Sequence, residues 1–231
     1  MLRYFAIGTL CLWLMEVSAL GEYRRWESTA SHVRLDTPRH AENHEVWIDH
    51  DLRQVVIRAW YSAAHNHPQA WRQLQFALTF WNSQSGQFGL QIKSEGRRMV
   101  YPIRFDLRIP DGTYTESGFY VPHQNVSAQF LTQVEVLPAT KMPVLRASHN
   151  PVAGYAPANF IYISELHAEN KWIGPHEVGH RLGSHHIEGT IMDHNLLDIR
   201  PVVNTRIVQD IVETQLPVLW KKKGWKVIRL R

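Results

Sequence analysis

The stretch Gly174-Pro175-His176-Glu177-Val178-Gly179-His180-Arg181-Leu182-Gly183-Ser184-His185-His186 gathers imidazole, carboxylate and glycine at spacings that chemistry can use. At 3.6 residues per turn, His176 and His180 stand one turn apart on the same helical face, so their rings can converge on one ion. Glu177 lies about 100° around that helix, where its carboxylate can reach water held at the ion. Gly174 can cap the helix, and Pro175 suits its first turn, where a missing N–H costs nothing. Gly183 stands where the helix should stop with a positive φ, which glycine adopts without a Cβ penalty. The chain reversal there brings His186 back as a third ligand. His185 is the competing neighbour, and the spacing from Gly183 favours His186. Three neutral imidazoles with an open fourth position make a catalytic zinc site rather than a closed structural one.

Several elements must position this stretch. Gln54 to Trp60 is a β-rich apolar run and predicts a strand. After the turn signals Asn66-His67-Pro68, apolar residues recur at Trp71, Leu74, Leu78 and Trp81, which is helical spacing, ended by Asn82-Ser83 and Gly86. Phe88–Lys93, Val100–Ile109, Gln129–Leu137 and Phe160–Ile163 predict further strands. Asp111-Gly112 opens a long loop region through Pro122. Asn204 to Gln215, with Ile207, Ile211 and Val212 as its apolar stripe and Pro217 beyond its end, predicts a last helix. No repeat and no Gly/Ser-rich linker divides the chain.

The pattern HExxHxxGxxH, followed by a methionine in Gly189-Thr190-Ile191-Met192-Asp193, resembles the signature of the metzincin metallopeptidases. The layout of strands and helices around it is most similar to matrixin-like catalytic domains. The resemblance implies that His176, His180 and His186 bind one catalytic zinc ion, that Glu177 is the general base, and that Met192 lies in a tight turn beneath the metal. It implies an α+β, zincin-like fold: a twisted, mostly parallel sheet of about five strands with an antiparallel edge strand, about three helices, and the active-site helix at the cleft floor. The activity implied is hydrolysis of peptide bonds in a protein or peptide substrate by a zinc-activated water, with Glu177 taking the proton and passing it to the leaving amine. A peptide would lie extended along an edge strand within residues 147–156, at Gly154, Tyr155 and Ala156. Residues Asn195 to Arg200 would wall a substrate pocket, and His149 and His167 stand near the edge strand. Two positions depart from the family. Ile187, after the third histidine, matches none of the serine, glutamate, aspartate or proline types that mark subfamilies. His194 stands where some families place a tyrosine. The subfamily is therefore unassigned. A zinc hydrolase of a non-peptide amide bond, or an inactive peptide-binding module, are the alternatives. The usual mark of the inactive case is loss of the base, and Glu177 is present.

Composition bounds the rest. With 231 residues, 44% hydrophobic and 20% charged, and a mean hydropathy of −0.30, the chain is neither disordered nor a polytopic membrane protein. One cysteine excludes an intramolecular disulfide and a Cys-rich zinc module. That cysteine, Cys11, falls in the twelve uncharged residues Tyr4–Met15, which follow Arg3 and precede the small residues Val17-Ser18-Ala19. This segment predicts a signal peptide over 1–19 and a secreted or periplasmic protein, with an N-terminal anchor as the alternative. Residues 20–45 read as a polar lead-in, 46–220 as the catalytic domain and 221–231 as a basic tail. The tail carries six Lys/Arg and no acid, so the net charge of +4 resolves into a basic tail and a remainder of −2. Its partner would be an anionic surface, weakly held; a solvated tail or an edge strand kept soluble by lysines is the plainer reading. No nucleic acid is expected, a monomer is expected, and the sequence assigns no structural calcium ion.

Overall fold

The computed structural model describes residues 44–49, 51–65, 67–94, 96–116, 120–123, 131–144, 152–195, 201–215 and 225–230. The expected signal segment, most of the lead-in, His149, residues 196–200 and Lys221–Lys223 lie outside them. The strands are β1 (His44–Asp49), β2 (Gln54–Ala63), β3 (Phe88–Ser94), β4 (Arg97–Arg108), β5 (Gly112–Tyr114), β6 (Tyr120–Pro122), β7 (Leu131–Leu137), β8 (Gly154–Tyr155), β9 (Phe160–Ser164) and β10 (Lys226–Arg229). The helices are α1 (Pro68–Asn82), α2 (Ile173–Arg181) and α3 (Thr205–Gln215).

The architecture is α+β. One mixed sheet runs in the order β10-β3-β4-β2-β7-β9-β8, with β1 also paired to β2, and β5-β6 forms a separate hairpin. The strands β4, β2, β7 and β9 are mutually parallel and make the centre. Antiparallel strands extend it on both sides: β3 and β10 beyond β4, β8 beyond β9. The expectation of about five mostly parallel strands is therefore corrected to eight in the main sheet, parallel only at its centre. The extra strands are faint in the sequence for a physical reason. In β1 polar His44 sits inward beside Val46 and Ile48, with Glu45, Trp47 and Asp49 alternating outward, so the strand straddles the expected boundary at 45/46 without an apolar run to mark it. In β10 the inward partners are Trp225 and Val227, hidden among lysines and arginines. The supposed tail is thus, at 226–229, an edge strand of the sheet.

All three helices pack on the same side. Trp81 of α1 meets Phe105 of β4, α1 lies against α2, and the buried stripe Ile207, Val208, Ile211 and Val212 of α3 covers β1 and β10. Among the central strands β2 carries a continuous buried apolar run, Val55-Val56-Ile57, whereas β4 alternates buried Tyr101, Ile103 and Phe105 with exposed Pro102 and Arg104. The face away from the helices carries buried Val56 and Asp106 among half-buried and exposed side chains. There Asp106 bridges Arg58 at 2.8 Å and Arg108 at 2.6 Å, and Arg58 stacks over Trp47. No described helix is long and apolar enough to cross a membrane.

Candidate metal centre

Helix α2 begins at Ile173, so Gly174 lies inside its first turn rather than capping it, a correction to the sequence expectation. The glycine is needed for contact: a Cβ there would come 2.7 Å from the backbone oxygen of Gln73 in α1. Gln73 is buried and works as a clamp. Its Oε1 accepts from the Gly174 N–H at 3.0 Å, while its Nε2 donates to the carbonyls of Ala168 at 2.7 Å and Asn170 at 2.9 Å. Trp81 adds a second tie, Nε1 donating to the Pro175 carbonyl at 2.9 Å. Neither residue was singled out for this role from sequence. The available signal was a glutamine on the apolar stripe of α1, four residues before Ala77.

The helix presents His176 and His180 together, ends at Arg181, and turns at Gly183 with φ +91°. A Cβ at Gly183 would also lie 2.5 Å from the Thr214 hydroxyl of α3, so the reversal needs glycine twice over. The turn returns His186. The Nε2 of His180 stands 3.0 Å from that of His176 and 3.1 Å from that of His186. His185 is exposed and outside this trio.

Tautomers decide what the trio is for. The Nδ1 of His176 is 2.9 Å from the Ile191 carbonyl, and that of His180 is 2.9 Å from the Ser184 carbonyl. A carbonyl only accepts, so each Nδ1 carries a proton, which in a neutral ring leaves Nε2 with a bare lone pair. Burial and the neighbouring His180 push His176 down to about 3, so it is neutral at ordinary pH. Lone pairs converging at this distance repel one another, and a cation between them removes the repulsion. Two nitrogens each about 2 Å from one ion stand roughly 3 to 3.5 Å apart. The buried, half-buried and exposed series His176, His180, His186 can therefore hold a metal ion, reachable from the His186 side.

The turn that follows is tied to itself. Thr190 Oγ1 donates to the Ile187 carbonyl at 2.6 Å, Asp193 Oδ2 accepts from the Gly189 N–H at 2.6 Å, and the Ile187 N–H donates to the Met192 carbonyl at 2.9 Å. It supplies the Ile191 carbonyl that orients His176, and it buries Met192 completely. Met192 packs where Gly179 leaves room: a Cβ on Gly179 would meet its sulfur at 2.2 Å. Thr190, Ile191 and Met192 are all buried, so the turn is part of the core.

Glu177 is buried, and burial lifts its carboxyl from 4.5 to about 8. It lies against the edge strand β8: a Cβ on Gly154 would come 2.3 Å from its Oε1. Of the three expected substrate-binding residues, Gly154 thus faces Glu177. Tyr155, next along the strand, points to the opposite face beside Tyr162 and is exposed. Ala156 lies just past the strand, packed against the core. His194 is exposed, its ring 6.4 Å from that of His186 and its Nδ1 3.4 Å from Asp193. His167 sits in a short 3-10 turn after β9.

No protein-family model, curated protein or solved structure matches the chain. The arrangement of residues alone carries the functional argument.

Proposed function

We propose that this chain is a zinc-dependent endopeptidase of metzincin type, exported from the cell, with His176, His180 and His186 as zinc ligands and Glu177 as general base. The observation that carries the reading is the convergence of carbonyl-oriented imidazole lone pairs beside a buried carboxyl that touches an edge strand. An all-nitrogen donor set of three with an open side fits zinc better than calcium or magnesium, which take oxygen ligands. Zinc held there supplies Lewis acidity, which polarises a carbonyl and makes water a stronger acid.

The chain's own residues do the remainder. Strand β8 has its outer edge free for a third strand among the described residues, and an extended peptide can pair with it by main-chain hydrogen bonds. Gly154 keeps that backbone close to Glu177. The Glu177 carboxylate accepts a proton from the attacking water and returns it to the departing amine, a role served by a carboxyl whose ordinary pKa burial has raised. Peptide cleavage is preferred over hydrolysis of another amide because the edge strand beside Glu177 suits an extended main chain.

The test is a broad peptide library with the purified protein. Cleavage is expected, and it should stop on chelation, return with zinc, and be absent from Glu177→Gln, which should still bind one zinc. His186→Ala should lose the metal. Stoichiometric zinc with no peptide cleaved would sink the peptidase reading while leaving the metal site standing.

A further inference from the structure

We propose that the end of the sheet formed by β3, β4 and β10 is a docking surface for an anionic lipid bilayer. Register places Lys93 directly opposite Arg98, and Lys226 opposite Gln91, one step along the same face. Alternation along β4 puts Arg104 on that face too. Like charges in a directly opposed pair repel. Yet the paired residues Phe88–Ser94, 97–105 and Lys226–Arg229 contain no Asp or Glu, and Glu95 is the single acid of the sequence that joins the first two. Lys93, Arg98, Arg104 and Lys226 are exposed and make no ion pair among the described residues. Farther along the same face Arg58 and Arg108 share the carboxylate of Asp106, which offsets half of their charge. The excess positive charge is thus concentrated at one end. It is assembled by the fold, because β10 brings Lys226 beside a hairpin more than a hundred residues earlier.

Between these cations lie aliphatic groups. Val100 is 40% exposed and Leu230 39%, both on the face that carries Arg98 and Lys226. A Cβ on Gly89 would come 2.7 Å from Val100 and 3.2 Å from Leu230, so the bare glycine lets both side chains close over β3 as an apolar patch. Single-stranded nucleic acid would call for exposed aromatic rings to stack on. The rings at this end, Phe88, Tyr101 and Trp225, are all buried. Cations around exposed aliphatic groups match a bilayer interface, where acidic headgroups meet the charges and acyl chains take up the apolar atoms.

The test uses the full chain, sedimented with phosphatidylcholine vesicles and with vesicles that also contain phosphatidylglycerol, at low and high salt. A preference for the acidic vesicles is expected, abolished at high salt and reduced about fivefold by each of Arg98→Gln and Lys226→Gln. Val100→Ser should weaken binding, and Lys171→Gln, which removes a cation stacked on Trp172 far from this end, should not. The apolar segment Tyr4–Met15 contributes to both vesicle types alike, so the ratio between them reads the cations. Equal binding to both vesicles, or a preference untouched by Arg98→Gln and Lys226→Gln, would overturn the proposal. So would retention on heparin or oligothymidylate without any acidic-lipid preference.

Discussion

A carboxyl held away from water resists losing its proton, and among the described residues no cation offsets that at Glu177. Its folded value of about 8 lies above the 4.5 of an exposed carboxyl. The metal-free fold is therefore at full advantage below pH 4.5 and loses stability as pH rises towards 8, because the unfolded chain ionises first. Glu177→Gln removes this titration. In chelator, the variant should be more stable than the parent by a few kcal/mol at pH 8 and no more stable at pH 4, read from denaturant melts. An equal gain at both values would show that burial of the charge is not the cause. The substitution that removes the proposed general base should thus stabilise the protein, as expected where a site is held in a costly state for use.

At the scale of elements, α2 is positioned by groups that carry no chemistry. Gly179 faces Met192 and Trp81 at once, so Gly179→Ala inserts a methyl where no space exists. It should cost about 1–3 kcal/mol and weaken metal binding. Met192→Ala in the same chain should recover part of the loss, a coupling measurable in a double-mutant cycle. Gln73→Leu leaves one N–H and two carbonyls of the loop and α2 without their partner. It should cost about 1–3 kcal/mol, read by thermal unfolding. The helix and its turn were legible from sequence because their determinants are local: a four-residue step from one ligand to the next, a glycine where φ must be positive. Gln73 and Trp81 were not, since the partners they hold lie about a hundred residues away in the chain.

For the whole molecule, the joint between sheet and last helix is sensitive to acid. His44 of β1 is buried with its Nε2 3.2 Å from the Ile211 carbonyl of α3, and burial lowers it from 6.5 to about 4. The folded state holds the ring neutral, so stability is undiminished above pH 6.5 and falls as pH drops towards 4 while the unfolded chain takes up protons. The loss is about 3 kcal/mol by pH 4. His44→Gln should flatten that part of the stability profile, measured by urea unfolding at pH 7 and pH 4.5. A profile as steep as the parent's would show that other groups cause the acid loss.

By itself the sequence determined the three imidazoles, the carboxyl beside the first and the glycine reversal, together with α1, α3 and the central strands. All follow from short-range spacing and from apolar periodicity, which a linear chain displays. Only the tertiary structure decided which nitrogens converge, since that depends on the carbonyls of Ile191 and Ser184 fixing each ring. Tertiary contact likewise set Gly154 against Glu177 and paired into the sheet both His44–Asp49, which straddles the expected lead-in and domain, and Lys226–Arg229 of the basic tail. Strand pairing depends on neighbours distant in sequence, and one buried face shared among charged residues leaves too faint a period to see before the partners are in place.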